Sequence, residues 1–75
     1  MGELDQLSGA DVVRALRQLG FQLLRQRGSH VILRRDEGSD ARGCVVPMHK
    51  RIALGTLLDI LKQAGISKAE FQAKL

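Results

Sequence analysis

Two strings of the same shape, RQLGF at 17–21 and KQAGI at 62–66, each close an apolar-striped run with a glycine followed by a hydrophobic residue. Glycine there adopts the left-handed conformation that ends a helix, and the next apolar side chain folds back on the last turn. The chain therefore carries a helix toward each end, and the residues between them must form something else. The first helix opens at Ser8, with Asp11 three residues on as in a capping box. Val12, Leu16 and Leu19 follow helical spacing, Val13 and Ala15 widen the stripe, and Arg14, Arg17 and Gln18 are left for solvent. In the second helix, ALGTLLDILKQAGI, the stripe is Leu54, Leu57, Leu58 and Leu61. Because only the terminal punctuation repeats, it reflects recurrent capping and not an internal duplication. Ser67 and Glu70 form another capping box, which opens a short last helix anchored by Phe71 and Leu75.

Between the helices lie FQLLRQR, the turn GSH with Gly28, and VILRR. These apolar runs are short and β-prone. DEGSDARG, residues 36–43, is polar and glycine-punctuated, so it reads as a second turn or loop. CVVPM, residues 44–48, supplies a third strand, and Pro47 points to its end or to a sheet edge. Short connections force antiparallel pairing. The expected fold class is α+β, in the order α-β-β-β-α plus a short C-terminal helix. Two striped helices cover one face of the three-stranded sheet and leave the other open to solvent or a partner.

Seventy-five residues make one small domain, 1–75, with no separate linker. A chain this size buries roughly 60% of its unfolded surface, which leaves no room for a deep cofactor cavity. Twelve Lys and Arg against eight acidic residues give a net charge of +4, which favours a polyanionic or acidic partner. A single cysteine excludes an internal disulfide, and Cys44 reads as a small buried strand residue. No apolar run approaches the ~20 residues needed to span a bilayer. The polar, acidic start MGELDQL is unlike a signal peptide, so a cytoplasmic protein is expected. Asp36, Glu37 and Asp40 fall in one turn without metal-ligand partners at useful spacing, and there is no zinc or phosphate-loop pattern. We expect no metal and no cofactor. Trp and Tyr are absent, and both Phe residues serve core or cap packing. With no aromatic stacking platform, recognition should rest on backbone and shape.

His30 opens the second strand, after Gly28 and Ser29 and with Arg25, Arg27 and Arg34 around it. If Val31 and Leu33 meet the helices, alternation puts His30, Ile32 and Arg34 on the open face. A lone histidine there can be simply a half-exposed strand residue, with Gly28 and Ser29 as ordinary turn chemistry. It also suits RNA chemistry. An imidazole exchanges protons near neutral pH. The ribose 2′-hydroxyl is an internal nucleophile beside its own phosphodiester, so a positioned base starts cleavage without a metal. Neighbouring cations stabilise the added negative charge, and a glycine turn lets a phosphate approach backbone N–H groups. A second basic element, His49, Lys50 and Arg51, precedes the second helix, where the dipole favours anions. It reads either as a phosphate grip, with His49 as a possible second acid or base, or as a solvated basic loop.

SGADVVRALRQLGFQLLRQRGSHVILRR, then VVPMHK, then LGTLLDILKQAGIS resembles the HicA (YcfA-like) toxins of bacterial toxin–antitoxin systems, from about Ser8 to Phe71. The pieces GF-x-L-x-R-Q-x-GSH, VVPMH and GTL-x-x-IL-x-QAGI come in family order and at family-like spacing. The resemblance implies a double-stranded-RNA-binding-like fold and a ribosome-independent mRNA interferase that arrests translation and growth. It also implies a HicB-type antitoxin that covers the active surface. The family's catalytic histidine in GSH maps onto His30, with Gly28 and Ser29 beside it. Lys50 and Arg51 fall where similar proteins are expected to meet RNA phosphates or antitoxin. RRDEGSDARG departs from the pattern, being longer and more acidic than the expected short hairpin. The general acid stays open between His49, a lysine and water. A non-catalytic duplex-RNA-binding or antitoxin-interaction module on the same fold is the alternative.

Overall fold

A computed structural model describes residues 3–38 and 40–75. Its elements are a 3-10 turn Glu3–Asp5, α1 Gly9–Gln18, β1 Gln22–Arg27, β2 His30–Glu37, β3 Asp40–Pro47, α2 Leu54–Ala64 and α3 Lys68–Gln72. This is the expected α-β-β-β-α order with a short last helix. The strands form one antiparallel sheet in the order β1-β2-β3. The molecule measures 35 × 29 × 18 Å, and its thin dimension is that of one sheet plus one helix layer.

Each helix start follows from its cap. The Ser8 hydroxyl accepts from the Asp11 N–H at 3.1 Å while the Asp11 carboxylate accepts from the Ser8 N–H at 3.0 Å. The latter bond chiefly holds the Asp11 carboxyl below its usual range. Ser67 and Glu70 repeat the arrangement at α3, with the same effect on Glu70. Gly20 and Gly65 have φ of 100° and 71°, and Phe21 and Ile66 donate their N–H groups back to Leu16 and Leu61. Each of these glycines also lies under an arginine from the sheet. Arg35 donates to the Leu19 carbonyl at 2.9 Å and lies over the Phe21 ring, while the Arg42 guanidinium packs against Gly65. Arg35 and Arg42 are cross-strand partners, so one pair of cations serves the negative ends of both long helices.

The core is the set of side chains that the sheet's inner face and the helices share. Val31, Leu33, Cys44 and Val46 meet Val12, Leu16, Leu57, Ile60, Leu61 and Phe71, and no polar or charged residue is buried among the described residues. Three expectations need correction. Leu54 and Leu58 are exposed, and α2 buries the expected Leu57 and Leu61 together with Ile60 and Ala64. The run of apolar residues is wider than the face that meets the sheet, so a four-leucine stripe misjudged the helix rotation. Leu75 is exposed, leaving Phe71 as the sole anchor of α3. Residues 36–43 are not a loop, because β2 runs to Glu37 and β3 starts at Asp40. Strand pairing continues to the Glu37–Asp40 pair, and the connection shrinks to Gly38, at φ 60°, and Ser39, which lies outside the described residues. The apparent departure at RRDEGSDARG is therefore a longer pair of strands.

Cys44 is 3% exposed, and burial pushes its thiol up from 9.0 to about 11. The proton is held more tightly in the folded state, so this contribution to stability is complete below pH 9 and declines as pH rises through about 11. A thiol reagent at neutral pH is expected to modify Cys44 only at the rate of unfolding, which a denaturant series of labelling rates measures. Prompt labelling in buffer would contradict the burial.

Candidate functional site

The outward sheet face follows from β2. Val31 and Leu33 are buried, so His30, Ile32, Arg34 and Asp36 lie on the opposite side. His30 is exposed, at the first position of the strand and clear of the apolar core. It pairs with Arg27 on one side and Pro47 on the other. The Gly28–Ser29 turn closes this end, with Gly28 at φ 58° and no heavy atom within 4 Å of where a side chain would start. That position favours glycine conformationally, and it leaves the turn backbone open to a close-approaching group.

A bulge in β1 decides which arginines join the histidine. Leu23 pairs with Leu33 on the inner face, yet Arg25 pairs with Ile32 on the outer one, so Leu24 is an extra residue. Strict alternation from Leu23 would send Arg25 and Arg27 to the helix side. The inserted residue reverses the phase and sets both beside His30. The doublet Leu23–Leu24 was the available sequence signal, since two adjacent apolar residues cannot both face a one-sided core in a regular strand.

The basic segment after β3 is drawn to the same end. The Met48 N–H donates to the Ser29 carbonyl at 2.6 Å, the Gly9 N–H to the His49 carbonyl at 2.9 Å, and the Ile52 N–H to the Leu7 carbonyl at 2.7 Å. Three backbone bonds thus hold residues 48–52 between the β1–β2 turn and the start of α1. His49 and Lys50 are exposed on this segment. Arg51 is exposed too, but it donates to the Gln6 side chain at 2.6 Å. Arg34 lies at the far end of the outward face, where its Nε meets the Asp36 carboxylate at 2.8 Å. The residues singled out from sequence therefore split. Arg25, Arg27, Gly28, Ser29 and His30 gather at one end with the backbone of His49 and Lys50 tethered beside them, while Arg34 stands apart and Arg51 has a partner elsewhere.

This arrangement offers a solvent-accessible imidazole beside an open glycine turn, with Arg27 opposite it and Arg25 one pair further along the same sheet face. Among the described residues, no group of three or more His, Cys, Asp or Glu side chains is placed to hold a metal ion. None of the helices of the described residues is long and apolar enough to cross a membrane.

Comparison with curated proteins finds no match. Comparison with protein families finds one described as "HicA toxin of bacterial toxin-antitoxin", whose model matches residues 9–66. That span runs from the first residue of α1 to the Ile66 that closes α2, and it includes the histidine turn and the basic segment. The chain belongs to the HicA toxin family of bacterial toxin–antitoxin systems.

Proposed function

We propose that this toxin is an endoribonuclease acting on mRNA, with His30 as the group that moves the proton of the ribose 2′-hydroxyl. The observation that carries the reading is His30 itself, exposed on a sheet face between Arg27 and Pro47 and next to the Gly28–Ser29 turn. The imidazole accepts the 2′-hydroxyl proton as the oxygen attacks the adjoining phosphorus. The 5′-oxygen leaves with a proton from a general acid, and the strand ends in a 2′,3′-cyclic phosphate. Arg25 and Arg27 stabilise the charge that accumulates on the non-bridging oxygens, and Lys50 holds a neighbouring phosphate. The nucleophile belongs to the substrate, so the step as written calls for no metal and no cofactor. The partner is a HicB-type antitoxin that occupies the outward face, and the site of action is the cytoplasm.

The test uses one RNA oligonucleotide in two forms, incubated with the protein in excess chelator. The ribose version should be cut to products ending in a cyclic phosphate. The version with a 2′-deoxy sugar at the cleaved position should resist cutting there, because its nucleophile is gone. Equal cutting of both, or cutting that stops with chelator, would overturn the mechanism. Binding without any cutting would mark a non-catalytic module.

A further inference from the structure

The outward face also carries apolar surface that proton transfer and phosphate contact leave unused. Leu24 and Val45 are 57% and 42% exposed, and Ile32 between them is half-buried. Ile32 pairs with Val45, and the bulge sets Leu24 and Arg25 together opposite Ile32. Leu24 also lines a cleft of about 140 Å³ with Gln22, Arg34 and Asp36, which fixes it on the outward side. The three aliphatic side chains thus form a row across all three strands, spanning about 10 Å at the usual strand spacing. The row lies two residues along β2 from His30, or about 7 Å. That is within the reach from a ribose to its own or the adjacent base.

The neighbouring rows are polar on both sides. Toward the turn lie Arg27 and His30, and beyond the row lie Gln22, Arg34 and Asp36. On β3 the outward positions are Ala41, Gly43, Val45 and Pro47, none of which carries a long or charged side chain. They leave a low lane along β2, from the histidine to the Arg34–Asp36 pair.

Resting on the ribonuclease reading, we propose that this lane takes a single RNA strand, with an unstacked nucleobase seated on Leu24, Ile32 and Val45 while its phosphodiester lies at His30. Phosphate gains nothing from aliphatic surface, whereas the flat face of a base does. A duplex keeps its base faces stacked and offers phosphates and 2′-hydroxyls, so the row would be desolvated for no return. Attack by the 2′-oxygen in line with the departing 5′-oxygen also requires a sugar–phosphate conformation that a stacked A-form helix does not adopt. The Gln22 amide and the Asp36 carboxylate lie where the edge of a seated base can be read, which gives cleavage a preference at that nucleotide. The aromatic-free composition thus excludes an aromatic platform but not an aliphatic one.

The experiment measures binding, so it stands apart from catalysis. A His30→Ala protein carries Leu24→Ser with Val45→Thr, or Arg25→Ala, and each is titrated with a fluorescent single-stranded RNA and with the same strand annealed to its complement. Both aliphatic positions are exposed, and circular dichroism checks that the fold is kept. The Leu24→Ser, Val45→Thr protein should bind the single strand about tenfold more weakly with an unchanged salt slope, because no phosphate contact is lost. Arg25→Ala should reduce the slope by about one. Undiminished single-strand binding by the aliphatic variant, or equal affinity for the duplex, overturns the base seat while the ribonuclease reading survives. Intact RNA binding together with lost binding of the antitoxin to the same variant would make the row a protein seat and also overturn it. No RNA binding by any variant would remove both readings.

Discussion

Replacing His30 with alanine is expected to lower RNA cleavage by at least the ~10²–10⁴-fold that a positioned proton-transfer group supplies. The same change should leave the melting temperature within about 4 °C of the parent, since surface substitutions typically alter stability by under ~0.5 kcal/mol. The two halves belong together. His30 is exposed, and its strand position is set by backbone pairing with Arg27 and Pro47, which alanine preserves. Arg25→Ala and Arg27→Ala should each cost less, because a cation beside the developing charge shares its work with its neighbour. Single-turnover cleavage of labelled RNA, read beside a thermal melt, checks both halves. Full activity of the alanine variant would assign the chemistry to some other group, with His49 next in line. Loss of activity with an equal loss of folding would say nothing about proton transfer, and then His30→Gln, which keeps the size and polarity, would be the informative variant. In cells, induction of the wild type should arrest growth and induction of the His30 variant should not.

The sequence was informative wherever a local rule had no competitor. Ser8 with Asp11, and Ser67 with Glu70, form the boxes that their spacing announces, and Gly20 and Gly65 end helices as their sequence neighbours require. Val31 and Leu33 set the face of β2, and His30 followed from them by alternation. Legibility failed where geometry depends on more than one element. Nothing local in LGTLLDILKQA says which apolar arc meets the sheet, so Leu54 and Leu58 look like core residues and are not. Polar residues 36–43 look like a loop, yet Arg35 and Arg42 use the inner face of that hairpin to reach two helix ends. The phase of β1 was hidden for the same reason. A bulge is a property of a pair of strands, and only the partner strand reveals that Leu24 is the extra residue. The exposed position of His30 beside the Gly28–Ser29 turn was thus legible in the sequence, but the bulge that turns Arg25 and Arg27 to the same face was not.

Gly9→Ala should damage fold and site together, through the backbone rather than through any contact with RNA. Gly9 is buried at the start of α1, where its N–H reaches the His49 carbonyl. A Cβ there would collide with the Pro47 carbonyl oxygen and would stand 2.8 Å from the Met48 Cα and 3.1 Å from the Met48 sulfur. Moving the thioether is easy, but moving two backbone atoms is not, and overpacking of this kind costs about 1–3 kcal/mol. For a domain this size that lowers the melting temperature by roughly 5–20 °C. The strain relaxes by moving residues 47–48 and the start of α1 apart. Pro47 is the cross-strand neighbour of His30, and the Met48 N–H holds the Ser29 carbonyl, so that displacement reaches the histidine turn directly. We therefore expect cleavage to fall by about tenfold or more at a temperature where the variant is still folded. Leu57→Ala supplies the comparison. It removes a fully buried side chain for about 2–5 kcal/mol but touches the site through the core alone, so at equal folded fraction it should keep most of its activity. If the two variants lose activity in step with stability, the close approach of α1 to Pro47 and Met48 is packing only, and the position of His30 is fixed by the sheet without help from the helix.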